Sequence, residues 1–537
     1  MSALKKLHDA ESIVNVADIL GFQTKKLAYI LYAQTDSLKY KEFDIPKRSG
    51  GVRHIAAPQG GLKLLQKRLA DLLQDCLDEI NKASSDNQAK PFGQISHGFK
   101  RGLSIRTNAK KHRNRRYVFN VDLTDFFGSI NFGRVRGFFI KDERFHLNPK
   151  VATIFAQIAC FKQSLPQGSP CSPVISNLIG NILDTHLVKL AARTGCIYTR
   201  YADDLTFSTN KPCFPQSIAQ SDDNNHVWTP GSELLRLVAH SGFAINQKKT
   251  RMQYRDSRQE VTGLIVNKKV NIRREYRHNT RAMAHRLFTK GSFLLPTYSK
   301  GENGDYSLEM KPGSLNQLHG RLGFIDGIDR SNLEILPTSK EAQIKSKETI
   351  YRRFLFYKEF YAASKPVLIC EGWTDYVYIE NALRQLASHY PSLVLLDDNG
   401  KVTFSIKRFK YPPKSSRSHT AEILGIKGGV GDLINFINSY KREFDRFSVA
   451  GMKEPVILLI DNDDGGNKVL NCVFSMLGID DKEIRKEKKK TAYIHVYRNL
   501  YLIPTPLQEK QHISQIEEGA CHLLRRKNKI EEFLVAR

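Results

Sequence analysis

The stretch Asn120-Val121-Asp122-Leu123-Thr124-Asp125-Phe126-Phe127 decides how the first half of the chain is read, together with Tyr201-Ala202-Asp203-Asp204 about eighty residues later. Arg116–Val121 has the apolar character of a short strand and delivers Asp122 at its end. Ile197–Tyr201 and Leu205–Ser208 read as two further strands, joined at Ala202-Asp203-Asp204. Adjacent residues of a strand point to opposite faces, but a tight turn relaxes that rule and lets Asp203 and Asp204 reach one site. Three carboxylates drawn from two strand ends resist desolvation unless cations neutralise them. Magnesium meets that need. Two ions about 4 Å apart can activate an attacking hydroxyl and stabilise a leaving pyrophosphate oxygen, which is nucleotidyl transfer.

The chain as a whole is strongly basic. Its 537 residues carry 83 Lys and Arg against 55 Asp and Glu, a formal net charge of +28. That surplus points to a polyanionic partner, nucleic acid first among them. With 41% hydrophobic and 10% aromatic residues, a wholly disordered chain is excluded, and the length suggests about three structural units. The opening MSALKKLHDAES has no signal-peptide core, and no apolar run approaches the ~20 residues of a membrane span. The 8 cysteines include no C-x-x-C pair, so neither a disulfide framework nor a zinc ribbon is expected, and a reducing cytoplasm is the natural location.

Up to about Asp44 the pattern is helical, with Ile13, Val16, Ile19 and Leu20, then Leu27, Ile30 and Leu31, at helical spacing. Ile45 to Ile55 reads as a hairpin turning on Gly50-Gly51. Helices are expected over Leu62–Glu79, Val151–Phe161 and Ser176–Ala192, and surface loops over Asn210–Trp228 and Pro296–Gly313. Between about Glu334 and Lys365 the pattern is polar and helical, with Lys and Glu interleaved, which suggests a linker. Beyond it, apolar strands (Pro366–Cys370, Ser392–Leu396, Pro455–Ile460) alternate with helices (Tyr376–Leu386, Leu433–Tyr440), the pattern of a parallel sheet. The basic run Lys486–Lys490 reads as a solvated helix face that could add to a backbone-binding surface.

Over roughly Ile45 to Asn267 these motifs resemble a known family, the reverse transcriptases, and specifically those of bacterial retrons. Asp122 with Phe127 resembles the first catalytic motif. Gln167-Gly168-Ser169-Pro170-Cys171-Ser172-Pro173, followed by Ser176-Asn177, resembles the template and nucleotide-positioning motif. Tyr201-Ala202-Asp203-Asp204 is similar to the metal-binding box, and Gly242-Phe243 with Asn246 through Lys249-Thr250 to the next palm motif. Asn108-Ala109-Lys110-Lys111-His112 is similar to the Asn-Ala-x-x-His element of retron enzymes, and Val261-Thr262-Gly263 to their Val-Thr-Gly triplet.

The resemblance implies roles. Phe127 would exclude a ribose 2′-OH by its bulk. Gln167 would position the nucleotide through its donor and acceptor. Arg53 would hold the triphosphate, with Lys47 and Arg48 as alternatives for a second cation. Lys249 would protonate the leaving pyrophosphate, a solvated lysine being the other reading. Asn108, His112, Val261, Thr262 and Gly263 would bind the structured RNA, with a structural histidine the competing reading at position 112. Arg277, Arg281 and His285 fall at helical spacing, where the family places a thumb that grips the template–primer duplex; an exposed helix without that role is the alternative.

Farther on, Pro366–Cys370 ends at Glu371-Gly372-Trp373-Thr374-Asp375, and Pro455–Ile460 at Asp461-Asn462-Asp463-Asp464. Ligands of parallel sheets gather at the carboxyl ends of strands, and Asp461 and Asp463, two apart, can project to one side. This resembles a Toprim domain over about Lys365 to Asp480. The resemblance implies Glu371 as acid/base or metal ligand, Asp461 and Asp463 as magnesium ligands, and Asp375 and Asp464 as supporting carboxylates. Lys427-Gly428-Gly429-Val430-Gly431 lacks a phosphate-loop pattern and reads as a turn near that site.

The expected fold is therefore an α+β right-hand polymerase followed by an α/β Toprim domain with a mainly parallel sheet. Fingers and palm would occupy 1–267, a helical thumb 268–334, a linker 335–364, and the Toprim effector with its extension 365–537. The resemblance implies a retron polymerase that copies a structured noncoding RNA into branched msDNA, primed from a guanosine 2′-OH. The Toprim part would be a nuclease effector restrained by msDNA in anti-phage defence. Implied cofactors are magnesium, two ions in the polymerase site and one or two in the Toprim site. Implied partners are dNTPs, the cognate RNA, its msDNA, and a DNA or RNA target of the Toprim domain, with no membrane; a homo-oligomer around msDNA stays open. A maturase-like or repair enzyme with an end-processing Toprim domain, and an inactive RNA-binding scaffold, are the rival readings.

Overall fold

The computed structural model describes residues 2–47, 50–86, 95–221, 227–301, 306–333, 350–397, 401–409 and 419–505. Arg48 lies outside them, as does the first half of the 335–364 stretch. The chain divides into two compact units: Met1–Arg273 with Lys300–Tyr306, and Arg274–Ser299 with Ser307–Arg537.

The first unit is built on a four-stranded antiparallel sheet in the order Ile197–Tyr201, Asp204–Thr209, Tyr117–Leu123, Ile245–Tyr254. Val118, Phe119, Val121, Leu205 and Phe207 are buried along its central strands. The helix Ser172–Thr194 starts with Pro173 in its first turn and stops where Gly195 adopts φ +69°. Its Val174, Ile175, Leu178, Ile179, Leu183 and Leu187 join the same core, so this helix is enclosed rather than amphipathic. Tyr40–Pro46 and Val52–Pro58 form an antiparallel hairpin that pairs Ile45 with Arg53. Its tip needs glycine: Gly50 and Gly51 hold φ of +86° and +75°. The helical N-terminal segment therefore ends at Lys39, short of the expected Asp44, because cross-strand pairing claims Tyr40 onward.

One interaction stands out in this core. Arg200 is fully buried, and its guanidinium forks onto Asp184, with Nε 2.9 Å from Oδ1 and Nη2 2.8 Å from Oδ2. The Tyr198 hydroxyl adds a bond to Asp184 Oδ1 at 2.8 Å. Arg200 Nη1 donates to the Ala202 carbonyl at 3.1 Å and to Asn177 Oδ1 at 3.2 Å. Gly180 makes room for the guanidinium, since a Cβ there would lie 2.9 Å from it.

Two expected loops are strands instead. Ala219–Ser221 and Trp228–Pro230 pair antiparallel within the Asn210–Trp228 stretch, anchored by buried Phe214 and Ile218. Leu294–Lys300 and Tyr306–Pro312 form a two-stranded sheet within Pro296–Gly313. Mixed composition concealed both: Leu308 and Met310 stay exposed in one pair, and in the other the strands are only 3 residues long each.

The second unit holds a five-stranded sheet in the order Lys407–Arg408, Val367–Cys370, Val456–Ile460, Leu500–Pro504, Ile494–Tyr497. The first four are parallel, and Ile494–Tyr497 runs antiparallel. Helices Trp373–Gln385 and Asp464–Met476 each follow a strand end. Val394–Leu396, expected in this sheet, instead pairs antiparallel with Val402–Phe404 outside it. The helices Arg274–Lys290 and Leu315–Leu333 lie in this unit too, their Ala284, Leu287, Phe288, Leu318 and Leu322 clustering with its sheet residues. So do Tyr351, Phe354, Leu355, Phe356 and Phe360 from the end of the expected linker. The helices expected as a thumb, and the described part of the expected linker, thus contribute to the core of the second unit.

Replacing Arg200 by Met should leave Asp184 buried without its cation, at a cost of about 3–5 kcal/mol. Calorimetry should show the first unit's unfolding shifted down, with partial recovery in Arg200→Met/Asp184→Leu. An unshifted transition would refute the assigned role.

Candidate active site

Asp122 lies in a central strand, directly across from Asp204 on one side and Asn246 on the other. Tyr201 pairs with Asp204, which leaves Ala202 and Asp203 as a two-residue turn. Ala202 takes φ +54°, the left-handed backbone that such hairpin turns require. The Leu123 N–H donates to the Asp203 carbonyl at 3.0 Å, which ties the turn to the strand that bears Asp122. Strand register thus gathers the three carboxylates that the sequence singled out.

Their charges interact. Loss of hydration, then the charge of Asp122, pushes Asp203 above the usual carboxylate range, against the pull of Lys249 and Arg53. Asp204 keeps an exposed edge. Even so, desolvation by the protein around its carboxyl, then the charges of Asp203 and Asp122, drive it up to about 6. Lys249 Nζ sits 3.0 Å from both oxygens of Asp122. The lysine expected to protonate pyrophosphate is therefore turned onto a carboxylate. Among the described residues no three Asp, Glu, His or Cys side chains are already spaced as a metal cage. The donor set nevertheless suits a hard divalent cation: carboxylate oxygens crowded together, whose mutual repulsion a cation would relieve.

The expected nucleotide-binding residues fall around this centre to different degrees. The charge of Arg53 reaches Asp203, so that face of the hairpin looks onto the carboxylates. Lys47 is exposed at the hairpin tip, where its N–H bonds the Gly51 carbonyl. Gln167 is half-buried, and its carbonyl accepts from the Ala56 N–H at 2.9 Å. Beside it, Gly168 at φ +119° allows close approach, since a Cβ would lie 2.9 Å from the Ala56 oxygen. Phe127 is half-buried, its ring 5.5 Å from that of Phe126.

The RNA-binding expectations change more. Asn108 and His112 are fully buried and have no surface for RNA. The Thr199 hydroxyl donates to Asn108 Oδ1 at 2.5 Å and so accepts from His112 Nε2 at 2.7 Å. His112 Nδ1 is then left to accept from the Ser208 hydroxyl at 2.7 Å. Burial pushes this imidazole down to about 3, so it stays neutral. The pair pins the helix Ile105–Lys111 to the sheet, which is the structural reading. Val261 is buried, while Thr262 at φ +48° and Gly263 at φ +81° make a turn whose Thr262 hydroxyl reaches the Ile105 carbonyl at 3.4 Å. The two retron-like elements therefore adjoin each other. In the second unit, Arg277 is committed to Asp329 through two bonds of 2.6 and 2.7 Å, whereas Arg281 is exposed on the same helix.

A second acidic group lies in the second unit. Cys370 and Leu459 are register partners on adjacent parallel strands, so Glu371 and Asp461 emerge near each other at the carboxyl ends. The Asp461 N–H approaches Glu371 Oε2 at 3.5 Å. Asp463 caps the next helix by accepting from the Gly466 N–H at 2.8 Å, and Asp375 accepts from the Gly372 N–H at 2.8 Å. Desolvation first, and then neighbouring carboxylates, raise both Glu371 and Asp461. The glycine turn expected nearby is indeed close, its Gly429 N–H bonding the Glu371 carbonyl at 3.0 Å.

Sequence reasoning missed Arg200, Asp184 and Phe99. Phe99 is 44% exposed, sits at φ +56°, and its ring stands 6.4 Å from Phe127 and 6.4 Å from Tyr201. Nothing local marks these positions, because their partners come from distant elements.

Residues 45–267 match the family model described as reverse transcriptase (RNA-dependent DNA polymerase). The chain is 37% identical over 291 residues to the retron Mx65 reverse transcriptase of Myxococcus xanthus, covering 50% of this chain and 62% of that protein. It is 31% identical over 291 residues to the retron Ec86 reverse transcriptase of Escherichia coli, covering 54% of this chain and 80% of that protein. The first of these relatives is thus matched over less than two thirds of its length. Among solved structures, telomerase from Candida albicans in complex with a telomeric RNA fragment aligns over 76% of this chain and 65% of its own, at 10% identity and TM-score 0.32.

Asp204 carries a folded-state acid above its ordinary value, so its contribution to stability is present at low pH and lost as pH rises through about 6. In EDTA, wild type should therefore lose stability relative to Asp204→Asn between pH 5 and 7.5, and magnesium should reverse the loss. Calorimetry at both pH values checks this, and a pH-independent difference would refute the coupling.

Proposed function

The chain belongs to the retron reverse transcriptases, and on that premise we propose that it is an RNA-directed DNA polymerase that copies a structured noncoding RNA into branched msDNA. The observation that carries this reading is the convergence of Asp122, Asp203 and Asp204 across one strand register, with Asp203 and Asp204 raised by loss of hydration first and by neighbouring carboxylates second. Asp122, Asp203 and Asp204 would hold magnesium, which when bound supplies the Lewis acidity for hydroxyl attack and pyrophosphate departure. The chain's own residues do the rest. Arg53 offers a planar fork to the triphosphate. Gln167, its backbone fixed to Ala56 through its carbonyl, would offer its amide to the nucleotide. Phe127 lies under the sugar and excludes a 2′-OH. The attacking hydroxyl, first the 2′-OH of an RNA guanosine and then each new 3′-OH, forms a bond to the α-phosphorus as the bond to pyrophosphate breaks. Lys249 keeps Asp122 compensated before substrate arrives and becomes free to neutralise pyrophosphate once cations take its place.

The second unit we read as a Toprim-type nuclease effector restrained by msDNA in anti-phage defence. Two things support this: Glu371 and Asp461 at the carboxyl ends of adjacent parallel strands, and Asp463 two residues beyond. Glu371, Asp461 and Asp463 would hold one or two magnesium ions, and raised acids there suit a group that must exchange protons with a phosphodiester. The substrates would be dNTPs and the cognate RNA in the first site and DNA or RNA in the second. Among the described residues no helix is long and apolar enough to cross a membrane.

Nucleic acid extracted from the purified protein should contain a branched RNA–DNA species that debranching treatment converts to linear DNA. Asp203→Ala/Asp204→Ala should abolish it while RNA stays bound; cDNA made by this variant would refute the site. Glu371→Ala and Asp461→Ala should leave cDNA synthesis within about twofold of wild type and remove magnesium-dependent nuclease activity. Loss of cDNA in both would refute two separate centres.

A further inference from the structure

Phe99 is an unusual residue to find beside the carboxylates. A phenylalanine at φ +56° occupies the left-handed region that bulky side chains avoid, and 44% of it faces solvent. Strain of this kind persists only where surrounding structure imposes it, and it concentrates at functional sites. The imposing contacts are identifiable. The Asn177 amide donates to the Gly98 carbonyl at 2.7 Å, and the His97 N–H donates to the Arg200 carbonyl at 2.8 Å. Gly98 lies so close to the catalytic turn that a Cβ there would be 2.8 Å from the Ala202 nitrogen. Residues 96–99 are thus clamped onto the strand and turn that present Asp203.

The clamp fixes where the Phe99 ring goes. It stands 6.4 Å from Phe127 at an interplanar angle of 57°, and 6.4 Å from Tyr201 at 39°. On its other side Phe127 meets Phe126 at 5.5 Å, and Phe126 stacks on Phe243 at 5.4 Å. Phe127 is therefore held between a buried aromatic stack and one exposed ring. Of the two supports, Phe99 follows directly on the glycine that packs against the turn carrying the catalytic carboxylates, whereas Phe126 reaches that turn through the Arg200 guanidinium.

We propose that Phe99 is a positioning residue that sets sugar selectivity, by holding the Phe127 ring at a fixed distance from the carboxylates. The proposal deepens, and rests on, the reading of Phe127 as the gate against a 2′-OH. Without the Phe99 ring, Phe127 can swing outward and the pocket accommodates a ribonucleotide. Glycine is the informative replacement, because it accepts φ +56° without strain and removes the benzyl side chain.

The test is single-nucleotide incorporation of dGTP and GTP opposite a template cytosine, by the full-length protein on a primed RNA. Phe99→Gly should raise the relative kcat/KM for GTP roughly three- to tenfold, the range an aromatic contact commands. Phe99→Tyr should restore the wild-type ratio. Phe127→Ala should relax selectivity further, and Phe99→Gly added to it should relax it no more, because the two rings act as one unit. If Phe127→Ala relaxes selectivity but Phe99→Gly slows both nucleotides equally, or changes neither, the positioning role is overturned while the gate stands. If Phe127→Ala leaves selectivity unchanged, the gate reading fails and the proposal falls with it.

Discussion

The architecture of the first unit turns on a cation placed where water cannot reach. Arg200 is fully buried, and an arginine in that position survives only if its charge is paired and most of its donors are answered. Asp184 answers with both oxygens, Asn177 and the Ala202 carbonyl take Nη1, and Gly180 leaves the space. These partners come from the long central helix and from the catalytic turn itself. Two residues past Arg200, that turn must present Asp203 within reach of Asp122. A buried fork with fixed geometry is stiffer than an apolar contact of the same size, because its bonds are directional. The pair thus spends stability on position, which is what a site made of mutually repelling groups needs.

Asn177 extends the same constraint outward. Its side chain bonds Arg200, Ser96 and the Gly98 carbonyl, so one amide ties the helix, the catalytic strand and the 96–99 segment together. The Asn108–His112 element does comparable work on the same edge strand and its neighbour, pinning its helix to Thr199 and Ser208. Motifs that look like binding signatures can therefore be hydrogen-bonded cores that hold other surfaces in place. RNA recognition near Asn108 would fall to the exposed Arg106, Lys110 and Lys111 on the same short helix.

The net charge of +28 acquires a location from this geometry. Both acidic centres subtract from it, and several prominent arginines are internally committed: Arg200 to Asp184, Arg277 to Asp329, Arg273 to Glu260. What stays exposed includes Arg53, Arg106, Lys110, Lys111, Arg281 and the lysines of the Lys482–Lys489 helix. A chain that keeps such a surface is suited to a long polyanion held along its backbone rather than to a single small anion.

Much of this was legible in the linear chain. Asp122, the Ala202-Asp203-Asp204 turn, the glycine-tipped hairpin and the Glu371 and Asp461 strand ends follow from local rules, since strand period and turn chemistry act over a few residues. The two short hairpins escaped because their strands mix polar and apolar residues without a clear burial pattern, and the stretch with Tyr351 and Phe354, helical in its pattern, does not show as core because its neighbours are charged. The roles of Arg200, Asp184, Phe99 and His112 depended on contacts between residues far apart in the chain. By itself the sequence determined which chemical groups exist and at which strand ends they emerge. Only the tertiary structure decided which arginines are buried and which are free, that His112 is neutral and enclosed, and that Phe99 stands against Phe127. Burial, charge and ring contact are properties of packed neighbours, and no local spacing encodes them.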